Sequence, residues 1–280
     1  MSKTIAITGA NGFIGSEMVR AFSVKGYNVK ALVHHEPKVK IAGVEYCHYS
    51  IEDIPSSEMF ANVDVLIHLA FAFRKKMIDG EDANTRAARF IKQLNLPKYV
   101  LMSSFAASTP VTPSYYGQCK RDMEELFKED LILRPGLVLG NGGLFGRMKH
   151  QLQRSRFVPL LKSGKQVIQS IFVYDLVKST TWLIEHDATG VHELAHPEKI
   201  FYKELLELMA KQLNMPLTFI PVPLLLMKGL VAALQLLPDP PFNKDNLIGL
   251  MASKYVDTSA EYKLMDGTWL SPIETLKKLR

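Results

Sequence analysis

The chain has 280 residues, 47% apolar and 22% charged, ample to bury a core in one large domain or in a core with a lobe. Its 34 basic against 28 acidic residues give +6, with no long Lys/Arg run and no aromatic-interleaved basic patch; this argues against nucleic acid and suits an anionic cofactor and small substrate. Cys47 and Cys119 lie far apart without ligand spacing, so neither a metal site nor a disulfide framework is expected, and the start of the chain, lacking a signal region, points to the cytoplasm.

Thr4 to Ile7 is a short β-branched run bounded by glycine, the pattern of a buried parallel strand. Gly9, Gly12 and Gly15 follow, with Asn11 between them, and then Ser16 to Lys25 carries Met18, Val19, Phe22 and Val24 at helical spacing. Gly9 permits the tight turn off the strand. Gly12 lets backbone N–H groups approach a pyrophosphate, and Gly15 lets the helix pack on the sheet with its positive end toward the anion. A strand before the glycines and an amphipathic helix after them make this a dinucleotide-binding signature.

Asn28 to Val33 is the second strand. At its close an acidic residue would hold the ribose of NAD and a basic one the 2′-phosphate of NADP. His34 and His35 stand there with Lys38 and Lys40 nearby, which leaves the cofactor as NAD or NADP with a slight lean to NADP. Further strands are expected at Val44 to Tyr49, Val63 to Ala70, Tyr99 to Met102 and Asp130 to Gly136, with a helix over Ala83 to Asn95. Buried strands alternating with helices give an α/β fold, a Rossmann-type doubly wound parallel sheet.

From Asn141 the pattern loosens around Gly142, Gly143 and Gly146, and Arg147, Lys149, Arg154 and Arg156 follow. These four fit a diphosphate or a solvated helix face equally well. A strand is expected at Ile171 to Tyr174, with Asp175 capping a helix to His186, then a strand at Val191 to Ala195 and a helix over Tyr202 to Leu213. Residues 1–140 form the expected core and 141–280 a smaller C-terminal substrate-binding lobe, with about 171–195 returning to the core. Leu217 to Leu237 is apolar but interrupted by Lys228 and Gly229, so no transmembrane span is expected. A lobe helix packed in the core or at a dimer interface, a wall of an apolar pocket, and a surface membrane contact remain open for it.

Ser103 and Ser104 end the fifth strand, at the sheet edge where open α/β sheets bind ligands. Tyr116 and Lys120 stand four apart and share a helical face. A fixed ammonium favours the phenolate of a phenol whose ordinary pKa is about 10, bringing it toward acid–base work near neutral pH. Ser104 would bind the substrate oxygen, Tyr116 would move its proton, and the hydride would pass to or from a nicotinamide.

These elements resemble the extended or atypical short-chain dehydrogenases/reductases of the NAD-dependent epimerase/dehydratase group. Thr8 to Gly15, Asp64 to Ala70, Ser103-Ser104, Tyr116 with Lys120 and Leu133 to Gly140 carry the resemblance, which continues more loosely through Phe172 to Asp175 toward the C-terminus. It implies that Gly12, Phe13 and Ile14 touch the pyrophosphate, that His34 lies by the adenosine ribose, and that Leu69 and Ala70 lie under the adenosine side. It makes Ser104 the substrate-binding hydroxyl and Tyr116 the base. Lys120 would hold the nicotinamide ribose, and Pro135 and Val138 would flank the nicotinamide. A homodimer through the Tyr116 helix is implied as well. Two departures stand out. Ser50 lies where the group often has an adenine-reading Asp, and Gln169-Ser170 where many sugar-nucleotide members have an arginine. The expected function is an epimerase or dehydratase acting on a nucleotide sugar. A reductase of an apolar carbonyl compound and a non-catalytic NAD(P)H-binding regulator or assembly factor are the alternatives.

Overall fold

The computed structural model describes residues 2–108, 114–160, 162–222, 249 and 253–279. Thr4–Thr8 is β1, and its Ile5, Ala6 and Ile7 are fully buried, as a strand covered on both faces requires. α1 follows at Phe13–Val24 and turns Gly15, Met18, Val19 and Phe22 inward. β2 (Asn28–Val33), β3 (Val44–His48), β4 (Val65–His68), β5 (Lys98–Met102), β6 (Leu131–Pro135) and β7 (Gly190–Leu194) complete a seven-stranded sheet. Its order is β7-β6-β5-β4-β1-β2-β3, and the register pairs from β3 through β6 are all parallel. β1 therefore sits where the winding reverses: the chain goes out to β2 and β3, then crosses to β4 on the other side. Ligands of such sheets bind at the carboxyl ends beside this reversal, which are Thr8 and His68. α2 (Ala83–Lys92) starts on Asp82, whose carboxylate accepts from Asn84 N at 2.9 Å. α3 spans Tyr115–Leu126.

The chain divides into two compact units. The first comprises Met1–Ser108, Gln118–Arg134 and Leu176–His192; the second comprises Thr109–Gly117, Pro135–Asp175 and Glu193–Arg280. Leu66, Ile91, Leu101, Met123 and Phe127 are central to the core of the first. In the second, α4 (Gly143–Arg154) and α6 (Tyr202–Gln212) bury Phe145, Leu152, Leu205 and Met209 with Val158, Leu160 and Leu276. Short strands support them: Leu137–Leu139 pairs parallel with Ser170–Phe172, and Phe157–Leu160 pairs parallel with Thr218–Pro221. The end of the chain is stitched to this unit. Gln169 exchanges two 2.8 Å hydrogen bonds with the backbone of Val256, and Asp175 accepts from Leu270 N at 2.9 Å. Gln212 donates to the Leu276 carbonyl.

Several expectations need correcting. α5 runs Val173–Glu185, so the strand stops at Phe172 and Asp175 lies inside the first turn, bonded to Leu270 instead of capping. Its carboxylate finds a partner distant in sequence, which local pattern cannot show. The loose stretch after Asn141 is helical from Gly143, because Phe145 and Leu152 have a hydrophobic cluster to pack against. Of the apolar stretch 217–237, residues 223–237 lie outside the described residues, and its front is a strand, Thr218–Pro221. Among the described residues no helix is long and apolar enough to cross a membrane.

Candidate active site

The glycine loop is fixed by contacts that admit no side chain. Gly9 turns at φ +67°, and a Cβ on it would lie 2.9 Å from Ala70 N. A Cβ on Gly15 would lie 2.3 Å from the Gly9 carbonyl oxygen. Ala10 N donates to Leu32 O at 3.2 Å and Gly12 N to Gly9 O at 2.9 Å, fastening the loop to β2 and to itself. Gly12 caps α1 without a side chain, and the first turn carries no acidic residue. The N–H groups of Phe13, Ile14 and Gly15 have no acceptor within the helix, and its positive end favours an anion. The residues present therefore fit a dinucleotide pyrophosphate.

Around this cradle, Asn11 donates Nδ2 to His35 O at 2.8 Å, so its amide braces the loop after β2. His34 is exposed just beyond β2, its ring 4.2 Å from that of His35 and 5.8 Å from that of His48 at the end of β3. Leu69 and Ala70 both donate their N–H groups to Thr8 Oγ1 at 3.1 Å, which seats the chain leaving β4 over the end of β1. Ser50, at the position singled out for adenine, is buried and accepts from Glu52 N at 3.1 Å.

Lys120 is the most constrained of the expected catalytic residues. It is 2% exposed, its Nζ donates to the Met102 carbonyl at 2.7 Å, and it lies 4.8 Å from the centre of the Phe71 ring. Burial pushes its pKa down to about 8, with Cys119 and Glu124 acting the other way. It is thus still a cation at neutral pH. Ser104 lies two residues past Met102, half-buried, and caps a short turn over Phe105–Ala107 by accepting from Ala106 N at 3.2 Å. That bond leaves its O–H available to a substrate oxygen. Tyr116 stands one turn before Lys120 on α3, whose start is capped by Ser114 accepting from Gly117 N at 3.0 Å.

The glycine loop, His34, Leu69, Ala70, Ser104 and Lys120 are thus gathered in the first unit, whereas Tyr116, Pro135 and Val138 belong to the second. Pro135 is buried at the end of β6, and Val138 is half-buried in Leu137–Leu139, opposite Ile171.

Three further polar groups are buried in the first unit, and two of them, His68 and Glu124, escaped the sequence reading. His68 is 1% exposed at the end of β4, with Nδ1 bonded to Thr8 Oγ1 at 2.8 Å and Nε2 buried with no hydrogen-bond partner among the described residues. Burial, then the nearby Lys120 charge, pushes its pKa down to about 3. Asn84 is 1% exposed and holds Ala72 at both ends, accepting its N–H at 2.7 Å and donating to its carbonyl at 3.1 Å. Glu124 is buried between Ser103 and Arg134. Its signal was present, four residues after Lys120 with an arginine in the next strand, but i, i+4 charge pairs are usually solvated.

The sheet order and the glycine cradle at its reversal define a dinucleotide-binding enzyme fold of Rossmann type. The model of the NAD dependent epimerase/dehydratase family matches residues 5–196, and the chain belongs to that family. A ceramide reductase of Caulobacter vibrioides is 28% identical over 204 residues, 68% of this chain, and the match spans 64% of that protein's length. Among solved structures, TunA, an NAD-dependent NDP-hexosamine 5,6-dehydratase of tunicamycin biosynthesis, matches with TM-score 0.71 at 16% identity over 99% of this chain and 96% of its own. The epimerase Mth375 of Methanothermobacter thermautotrophicus gives 0.73 at 15% over 99% and 91%. A UDP-glucuronic acid 4-epimerase of Bacillus cereus in complex with NAD gives 0.64 at 19% over 78% and 85%.

Proposed function

We propose that the protein is an NAD-dependent oxidoreductase acting at a carbinol or carbonyl carbon, with Ser104, Tyr116 and Lys120 as its catalytic residues. The observation that carries this reading is the buried Lys120 ammonium, anchored on Met102 at the sheet edge and one helical turn from Tyr116. Bound NAD(H) supplies or accepts the hydride. Ser104 holds the substrate oxygen through its O–H. Tyr116 returns a proton to that oxygen in reduction and removes it in oxidation. The Lys120 cation favours the phenolate that the second direction needs. The lean to NADP rests on His34 and His35 with Lys38 and Lys40 nearby, whereas the family description and the NAD-bound epimerase favour NAD.

For the substrate, an apolar carbonyl compound is the better supported reading. The relative named as a ceramide reductase is nearer in sequence, at 28%, than the nucleotide-sugar enzymes, whose 16–19% identity supports the shared fold alone. Ile168, Gln169 and Ser170 are all buried, and Gln169 spends both ends of its amide on Val256, so this stretch offers no side chain to a diphosphate. A nucleotide sugar, the expectation from sequence, keeps one specific support: the exposed Arg147, Arg154 and Arg156 on and just after α4. The test is NADH consumption by the purified protein with a long-chain keto-amide and, separately, with UDP-4-keto sugars. Turnover with the lipid that is lost in Tyr116→Phe supports the proposal. Turnover confined to the sugars replaces its substrate, and turnover indifferent to Tyr116→Phe removes its mechanism.

A further inference from the structure

Two consecutive residues at the end of β5 grip two successive turns of α3. The Met102 carbonyl accepts from Lys120 Nζ, and the Ser103 hydroxyl donates to Glu124 Oε1. The adjacent strand holds the same carboxylate: Arg134 donates Nε to Oε1 at 2.9 Å and a guanidinium Nη2 to Oε2 at 2.6 Å. Ser103 is 1% and Glu124 7% exposed. Apolar residues of similar volume would fasten a helix at least as well as a buried ion pair, so fastening alone does not call for a charge here. What the charge adds is its place, one turn after Lys120 on the same face of α3.

We propose that Glu124 is a positioning residue for the catalytic pair: clamped by Ser103 and Arg134, it fixes α3 against the ends of β5 and β6 and holds the Lys120 ammonium in its charged form. The inference deepens the function proposed above and rests on it. Around Lys120 stand Cys119 and Glu124 on α3, neutral His68 from β4, the Phe71 ring beyond β4 and the Met102 carbonyl from β5, with Tyr116 one turn earlier along α3. Arg134 stands behind Glu124, and Asp82 faces Cys119 at 3.7 Å. Burial works against the ammonium, and Glu124 opposes that effect from a fixed position. Arg134 in turn offsets part of the Glu124 field.

The test pairs two substitutions whose effects run in opposite directions. In Glu124→Gln the alkaline limb of the kcat profile moves to lower pH, and in Arg134→Gln, which leaves the carboxylate uncompensated, it moves to higher pH, each by about half a pH unit or more. Affinity for NADH stays within about threefold of wild type, because neither residue lies at the glycine cradle. The Lys120 titration is read separately by carbon-13 NMR of labelled lysine Cε, with Lys120→Arg assigning the signal. Opposite shifts in that titration support the inference even if Tyr116→Phe shows the mechanism to be different. A limb and a titration unmoved in both variants, or activity reduced equally at every pH, would overturn it. If Glu124→Gln does not fold, the upward shift in Arg134→Gln decides alone: its absence sinks the proposal.

Discussion

The Thr8 hydroxyl donates to Nδ1 of His68, and the direction of that 2.8 Å bond is set by the other partners of the hydroxyl. Thr8 Oγ1 already accepts from the N–H groups of Leu69 and Ala70, so its own hydrogen goes to the imidazole. Nδ1 is therefore the acceptor and the proton sits on Nε2, a neutral ring between the strand ends that flank the reversal in winding. With a folded pKa of about 3 against about 6.5 unfolded, the unfolded chain binds the extra proton across that window, and stability falls as pH falls through it. The loss is on the order of a few kcal/mol. Urea midpoints measured from pH 7 to pH 4 should fall steeply in wild type and less steeply in His68→Asn; equal slopes would count against a buried neutral histidine.

Gly15→Ala tests the cradle. Its new Cβ would meet the Gly9 carbonyl oxygen at 2.3 Å, and neither atom can swing aside, the Cβ being fixed to its Cα and the oxygen to the backbone. Either the loop opens or α1 lifts from the sheet. The expected result is a loss of NADH affinity of about tenfold or more, with a lowered Tm, since backbone strain of this kind costs on the order of 1–3 kcal/mol. Fluorescence titration with NADH measures it, and wild-type affinity would show that the loop is not where the cofactor binds.

Tyr116→Phe and Lys120→Met should each lower kcat by about 10²–10⁴-fold, the range expected for a proton-transfer group. Circular dichroism should show both folded. Activity in wild type should decline as pH rises through about 8, where Lys120 loses its charge. Stability runs the other way. Burial lowers the folded pKa of this base, so between about 8 and the unfolded value of about 10.5 the unfolded chain holds more protons and the fold gains. A wild-type profile still rising well above pH 8 would separate Lys120 from the chemistry.

Asn84→Ala removes the two-ended hold on Ala72 and a bond to Asp82, leaving the half-buried Ala72 backbone groups without these partners. Unfolding in urea should show a loss of roughly 2–3 kcal/mol. Asn84→Asp keeps the acceptor but sets a buried carboxylate oxygen against Asp82 Oδ1 and the Ala72 carbonyl, so it should lose at least as much as Asn84→Ala.

Much of the first unit could be read from residue order. β1, α1 and β2 announce themselves because a buried parallel strand, three glycines and an amphipathic helix each carry their own local signal. Tyr116 and Lys120 are proposed from their spacing, and Ser104 from standing where a strand ends. The sequence could not show which polar groups would be buried, because that depends on long-range partners: His68 is defined by Thr8 sixty residues away, Asn84 by the loop at Ala72, and Glu124 by Ser103 and Arg134. α4 was missed because Gly142, Gly143 and Gly146 outweigh Phe145 and Leu152 in any local reading, and the cluster that favours the helix is assembled from α6 and the strands beside it.

The three attachments of the terminal segment bear on how this gene can be shortened. Ending translation after position 196, where the family match stops, would delete Val256, Leu270 and Leu276, the partners of Gln169, Asp175 and Gln212. Two of those three side chains belong to the matched stretch itself. A protein trimmed there would carry severed polar ends inside the stretch that looks self-sufficient, so residues 253–279 are a keystone of that stretch and not an optional extension.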